Sequence, residues 1–307
     1  CERATPTFSS SFVPSAWRQN MKIDKNTKIL IAGLGLMGGS YAEALTQRGF
    51  EVGALARRQE AIDFALEKGM ISHGRSVIDP EYIGQFDLMI FAMYPHAFIE
   101  WIEKNQQYIK QGALISDVTG VKCSVVYRVQ DMLRSDLEFV GAHPMAGREC
   151  SGVENARAEI FEGANYIVTP TDKNTPEAIE AVKELGRIMG FRMIAQLTPE
   201  KHDEMIGFLS QLAHCIAVSL MVCKDSKHLV DYTGDSFRDL TRIAKINDEM
   251  WSELFLLNRD ELVAQMDLFS EKFALMRDSI ANGDRETIRQ MMRLSTERRK
   301  YFDANQE

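Results

Sequence analysis

Hydrophobic and polar positions follow two different rhythms along this chain, and the change comes near residue 196. Before it, short apolar runs at 28–32, 50–56, 86–92, 112–116, 137–141, 166–169 and 191–195 have strand length. Between them, positions repeating every 3.6 residues predict helices over about 36–48, 59–68, 94–110, 121–133 and 176–189. Strands alternating with helices describe an α/β fold with a doubly wound, mostly parallel sheet, and the last two runs are expected to extend that sheet. After Thr198 only the helical period remains. Thr198 is placed to cap a helix with Pro199 in its first position. Ser236 and Asp239 resemble a capping box with Asp in place of Glu, and Asn247 predicts another N-cap. A long amphipathic helix over 259–280 is broken at Asn282 and Gly283, and a charged last helix runs over 284–301. The expected organisation is therefore an extension at 1–27, an α/β domain at 28–195 and an all-α helical domain at 196–307.

The loop after the first run sharpens the reading. Gly33, Gly35 and Gly38 form G-x-G-x-x-G between a predicted strand and a predicted helix, the context in which this spacing means dinucleotide binding in a Rossmann fold. Gly33 serves the tight turn, Gly35 the approach of backbone to pyrophosphate, and Gly38 helix–strand packing. The pyrophosphate is expected on the helix N-terminus at Leu36 and Met37. At the end of the second strand, where an NAD site usually carries an acidic residue, stand Ala56, Arg57 and Arg58. Two guanidiniums suit a 2′-phosphate, which favours NADP over NAD; the alternative is that both arginines are solvated charges at a helix start.

Bulk composition narrows the class. A formal charge of −8 argues against general nucleic-acid affinity, and 45% hydrophobic residues is ordinary for a globular protein. Five scattered cysteines without C-x-x-C fit a reducing, cytoplasmic setting with neither disulfide frame nor zinc site. No apolar run is expected to reach membrane-spanning length. Residues 1–20, rich in Ser and Thr, lack the apolar core of a secretory signal and read as a leader or disordered extension ahead of Met21.

Ligands of open parallel sheets bind beyond the carboxyl ends of the strands, and polar clusters stand at three of these ends. The first is Met93 to His96. The second runs from Ser116 through Asp117 and Thr119 to Lys122. The third contains His143, Pro144, Arg148 and Glu149. His143, held extended by the following proline, suits a general base. In the helical domain, His214 lies on a second face beside Gln211, either to meet a ligand or as a buried histidine satisfied by backbone. Arg238, Arg242 and Lys245 share a helix face that is either solvated or turned to an anion.

Together these segments resemble the prephenate/arogenate dehydrogenases of tyrosine biosynthesis. The carriers are the glycine loop to Ser40, Asp117 to Lys122, Gly141 to Gly147 with Glu149, and Phe237 to Lys245 with Met250 and Trp251. The resemblance spans about 28–300. It implies oxidative decarboxylation of prephenate, with arogenate the alternative substrate. It also implies His143 as base, Arg242 on a substrate carboxylate with Arg238 nearby, His214 and Thr119 orienting substrate, Glu149 at the pocket mouth and Asp117 on the cofactor side. A homodimer through the helical domain follows from it, and no fused mutase or regulatory module is expected. Gly120 and Gln211 depart from the family pattern, which commonly has serine and histidine there. They leave a non-catalytic NADP-binding protein as a reading from another class. A β-hydroxyacid dehydrogenase on a similar plan fits the His143–Pro144 pair poorly.

Overall fold

The computed structural model describes residues 22–147, 150–225 and 227–303; the leader expected over 1–20, and Arg148 and Glu149, lie outside them. The chain opens with β1 (Ile29–Ala32), α1 (Leu36–Gln47), β2 (Val52–Leu55), α2 (Gln59–Glu67), β3 (His73–Arg75), α3 (Pro80–Ile83), β4 (Leu88–Phe91), α4 (Pro95–Asn105), β5 (Leu114–Asp117), α5 (Cys123–Met132) and β6 (Glu138–Phe139). The six strands form one parallel sheet in the order β3-β2-β1-β4-β5-β6. All residues of β1, β2, β4 and β5 are buried, because α1 and α2 cover one face and α3, α4 and α5 the other. That explains their unbroken apolar runs. The strand order reverses between β1 and β4, which opens a crevice at their carboxyl ends.

The sheet does not continue as expected. The run at 137–141 divides into β6 and β7 (Gly141–Met145), and β7 starts a second sheet. It pairs antiparallel with β8 (Asn165–Thr169), which pairs parallel with β9 (Met193–Gln196) after α6 (Pro176–Met189). Pro144 cannot donate to a ladder, so β7 suits only an edge. Val140, whose N–H reaches the Ile115 carbonyl at 3.0 Å, is the hinge between the sheets. His143 therefore sits within a strand, opposite Ile167, and not after one. The short β3, too brief and polar to show a period, was not anticipated.

The rest is helical: α7 (Pro199–Ile206), a wider π-type segment Gly207–Leu212, α8 (Ala213–Val222), α9 (Asp235–Thr241), α10 (Asp248–Leu257), α11 (Arg259–Ala281) and α12 (Arg285–Asp303). Thr198 and Asn247 cap α7 and α10 with their side chains, accepting from Lys201 and Met250 N–H groups. The capping box at Ser236 does not form: α9 starts at Asp235 behind Gly234, without a side-chain cap. The unbroken helix Pro199–Val222 is, by length and hydropathy, long and apolar enough to cross a membrane, contrary to the expectation that no such run exists. Its charged first turn disguises that length in the sequence. In this helix His202, Asp203 and Gln211 are buried. Farther on, α11 buries only Leu262 and Ser279, and α12 buries nothing.

Candidate active site

At the end of β1 the backbone is shaped for a ligand. Gly33 has φ +105°, and a Cβ there would lie 2.4 Å from the Ala92 carbonyl oxygen. A Cβ on Gly38 would lie 1.8 Å from the Gly33 carbonyl oxygen, so only glycine lets α1 sit this close to the turn. Gly35 differs: nothing lies within 4 Å of where its Cβ would be. Gly35 also begins α1 without a side-chain cap, so the first amides, from Leu36 and Met37 onward, keep their donors for an anion. These residues fit a dinucleotide pyrophosphate. Arg57 and Arg58 are exposed beyond β2, and their guanidiniums make no hydrogen bond or ion pair among the described residues.

Past β5 lies a buried ionic braid. Asp117 receives the Ala142 N–H on one oxygen at 2.9 Å. Its other oxygen receives the Thr119 N–H at 3.0 Å, the Thr119 hydroxyl and the Lys122 ammonium at 2.7 Å. Lys122 Nζ also donates to the Ala142 carbonyl at 2.6 Å. Burial pushes the Lys122 ammonium below the usual lysine range, against the pull of Asp117. Asp117 and Lys122 are fully buried and Thr119 nearly so. Asp117 and Thr119, expected at cofactor and substrate, also bond inside the protein, where they fix β7 against the end of β5.

That fixing places His143. Its Nδ1 lies 2.8 Å from His202 Nε2, and His202 Nδ1 lies 2.7 Å from Asp203 Oδ1. Asp203 accepts the N–H groups of Lys122 and Cys123, both at 2.8 Å, and so caps α5 from α7. The other edge of the His143 ring faces Gly120: a Cβ there would lie 3.8 Å from both Cε1 and Nε2, and 3.6 Å from Leu254 of α10. Burial, with the Lys122 charge and His202 nearby, drives the His143 pKa well below the usual imidazole value, so the ring is neutral at neutral pH. For Asp203, burial raises the pKa, yet bonds from His202, Cys123 and Lys122 outweigh it and hold the carboxyl ionised. Sequence reasoning missed His202 and Asp203. The available signal was an adjacent His-Asp pair one turn into the helix that opens the second domain.

The helical side contributes unevenly. His214 directs Nδ1 to the Ser210 carbonyl at 2.9 Å and packs on Trp251 with ring centroids 3.7 Å apart. Gln211 donates to the Leu254 carbonyl at 3.2 Å and accepts from Asn258 at 2.7 Å, so its amide serves internal packing. Arg238 is engaged at its own helix. It bonds Asp235 at 3.1 Å and the Thr233 carbonyl at 2.8 Å, bracing the start of its own helix. Arg242 opens a short 3-10 turn, Arg242–Ala244, that packs on α8, the helix of His214. Three bonds tie α10 to the crevice: Asn247 to the Tyr94 hydroxyl at 3.1 Å, and Glu253 to the His96 N–H and Nδ1, each at 2.7 Å. Cavities of about 500 Å³ near Tyr127 and about 390 Å³ near Phe208 are lined by neither His143 nor Arg242.

Comparison with known proteins now decides the family. The nucleotide-binding domain of prephenate dehydrogenase matches residues 41–195, and the dimerization domain of the same family matches residues 198–294. The chain belongs to the prephenate dehydrogenase family. Prephenate dehydrogenase of Bacillus subtilis (strain 168) is 30% identical over 267 residues, 85% of this chain and 72% of that protein. Cyclohexadienyl dehydrogenase of Zymomonas mobilis is 29% identical over 266 residues, 83% of this chain and 89% of that one. The crystal structure of prephenate dehydrogenase from A. aeolicus, in complex with hydroxyphenyl propionate and NAD+, superposes with a TM-score of 0.82 at 28% identity. It covers 90% of this chain and 98% of that one. Membership makes this prephenate dehydrogenase relative an NAD(P)-dependent oxidoreductase with a nicotinamide dinucleotide as cofactor.

Proposed function

We propose that this enzyme oxidatively decarboxylates prephenate to 4-hydroxyphenylpyruvate with NADP as the hydride acceptor, and that it works as a homodimer joined through its helical domain, with the domains meeting near residue 196. The observation that carries the reading is His143, neutral, half-buried and braced where the second sheet meets the crevice. His143 Nε2 takes the proton of the ring 4-hydroxyl as the hydride leaves C4, and the oxygen becomes a carbonyl. The C1–carboxylate bond then breaks, its electron pair enters the ring, carbon dioxide departs, and the proton returns to the phenolic oxygen. The nicotinamide, when bound, supplies the acceptor for the hydride. Arg242 holds a substrate carboxylate, a task suited to a guanidinium fork, and His214, steadied by Ser210 and Trp251, orients the substrate beside it. The meeting of His143 and Arg242 in one pocket belongs to this proposal.

NADP is supported by exposed Arg57 and Arg58 after a strand that ends without a carboxylate. Dimerisation is supported by apolar side chains left outside, such as Leu256 (71% exposed) and Phe273 (64% exposed). Steady-state kinetics with prephenate and arogenate, each with NADP and NAD, tests the assignment. The highest kcat/KM is expected for prephenate with NADP. A preference for arogenate would replace the substrate, and cofactor binding without turnover on either would remove the enzymatic reading.

A further inference from the structure

We infer that His202 and Asp203 are positioning residues that hold His143 as the Nδ1–H tautomer, leaving the Nε2 lone pair on the substrate side, and that they tie this state to the docking of the helical half. The inference rests on His143 as the base. Each Asp203 oxygen already accepts a backbone N–H from the start of α5, so the group is ionised and can only accept. His202 Nδ1 at 2.7 Å must then carry a proton and donate it. His202 is fully buried beside the Lys122 ammonium and Asp117, and burial holds it neutral despite the carboxylate, so its Nε2 is an acceptor. His143 Nδ1, 2.8 Å away, must be the donor in that pair, and a neutral ring with Nδ1–H has its free lone pair on Nε2. Nε2 is the atom that faces Gly120. When it gains a proton, the cation forms two hydrogen bonds away from a fixed negative charge.

The same carboxylate also joins the halves. Asp203 and His202 belong to α7, whereas Lys122, Cys123 and His143 belong to the nucleotide-binding half. The Asp203 carbonyl accepts from Asn258, which also donates to Gln211, so the relay is anchored to the start of α11. A helical half that shifts away from α5 therefore loses the acceptor that sets the base.

The direct test is a long-range proton–nitrogen NMR spectrum of the full-length protein labelled at histidine, with His143 assigned by its loss in His143→Asn. The expected spectrum shows His143 protonated at Nδ1 and bare at Nε2; a proton on Nε2 would overturn the inference. Kinetics add a second reading. His202→Leu removes the acceptor and is expected to lower kcat by about 10²–10⁴-fold, the range for a mis-set base, with KM within a few-fold. His202→Gln, whose carbonyl oxygen can accept from Nδ1–H, is expected to recover most of that loss. A folded His202→Leu enzyme with wild-type kcat, or a Gln variant as slow as Leu, would contradict the relay. If the Leu variant does not fold, the wild-type spectrum and the Gln variant still decide. The spectrum needs no substrate, so failure of the prephenate assignment and failure of the relay give different results.

Discussion

The two halves of this enzyme treat their charged and apolar groups in opposite ways. In the nucleotide-binding half, apolar strands are covered on both faces and a lysine–aspartate pair is sealed beneath the site. In the helical half, apolar side chains stay outside and ion pairs such as Arg277–Asp278 and Arg299–Asp303 are solvated. One half is complete within the chain. The other leaves apolar side chains such as Leu256 and Phe273 exposed. Burial separates groups of similar chemistry: Asp117 and Thr119 are buried and bonded within the protein, whereas the His143 ring keeps one edge toward Gly120.

Five substitutions probe this contrast, with the largest expected effect first and Arg277→Ala set beside Lys122→Ala as its control. His143→Asn removes the base while keeping a hydrogen-bonding side chain, and kcat is expected to fall about 10²–10⁴-fold with NADP affinity retained. A kcat near wild type would take the imidazole out of the reaction. Lys122→Ala leaves a buried carboxylate without its cation and is expected to cost about 3–5 kcal/mol in denaturant unfolding. By the same contrast, Arg277→Ala should leave the unfolding midpoint where it was, because a solvated pair contributes little. Equal losses from both would erase the distinction between the halves. Arg242→Gln is expected to raise the KM for the substrate by about 10-fold, as for a lost charged hydrogen bond, with a smaller change in kcat. An unchanged KM would detach Arg242 from the carboxylate. The smallest kinetic effect is expected from Ala56→Asp, which should shift the NADP-to-NAD ratio of kcat/KM several-fold toward NAD by repelling the 2′-phosphate. A ratio that stays fixed would mean that Arg57 and Arg58 do not read the phosphate.

The pH response follows from the same burial. His143 and His202 both have pKa values depressed in the folded state, so protonation favours the unfolded chain. Their contribution to stability is complete above the unfolded value of about 6.5 and is lost as pH falls toward the folded values. The acid limb of kcat/KM should accordingly lie below the ordinary imidazole range.

Much of this was legible in the chain because it is local. Helix caps at Thr198 and Asn247, the glycine turn and the apolar strands each declare themselves within a few residues. What escaped depends on distant partners. Nothing near Val140 announces that its neighbours leave one sheet for another; that depends on β8 from farther along the chain. The bonds of Arg238 to Asp235 and Thr233 likewise appear only once the turn before α9 is folded. His202 and Asp203 gain meaning only from His143 and the start of α5, at separations of 59 and about 80 residues.

The most direct measurement is a crystal structure of the enzyme with NADP and a para-hydroxyphenyl carboxylate such as the reaction product. The phenolic oxygen is expected within hydrogen-bonding distance of His143 Nε2, beside Gly120, and the carboxylate on Arg242 at the far end. A ligand bound with full occupancy elsewhere, or bound in this crevice with Arg242 turned away and His143 touching neither ring nor oxygen, would contradict it.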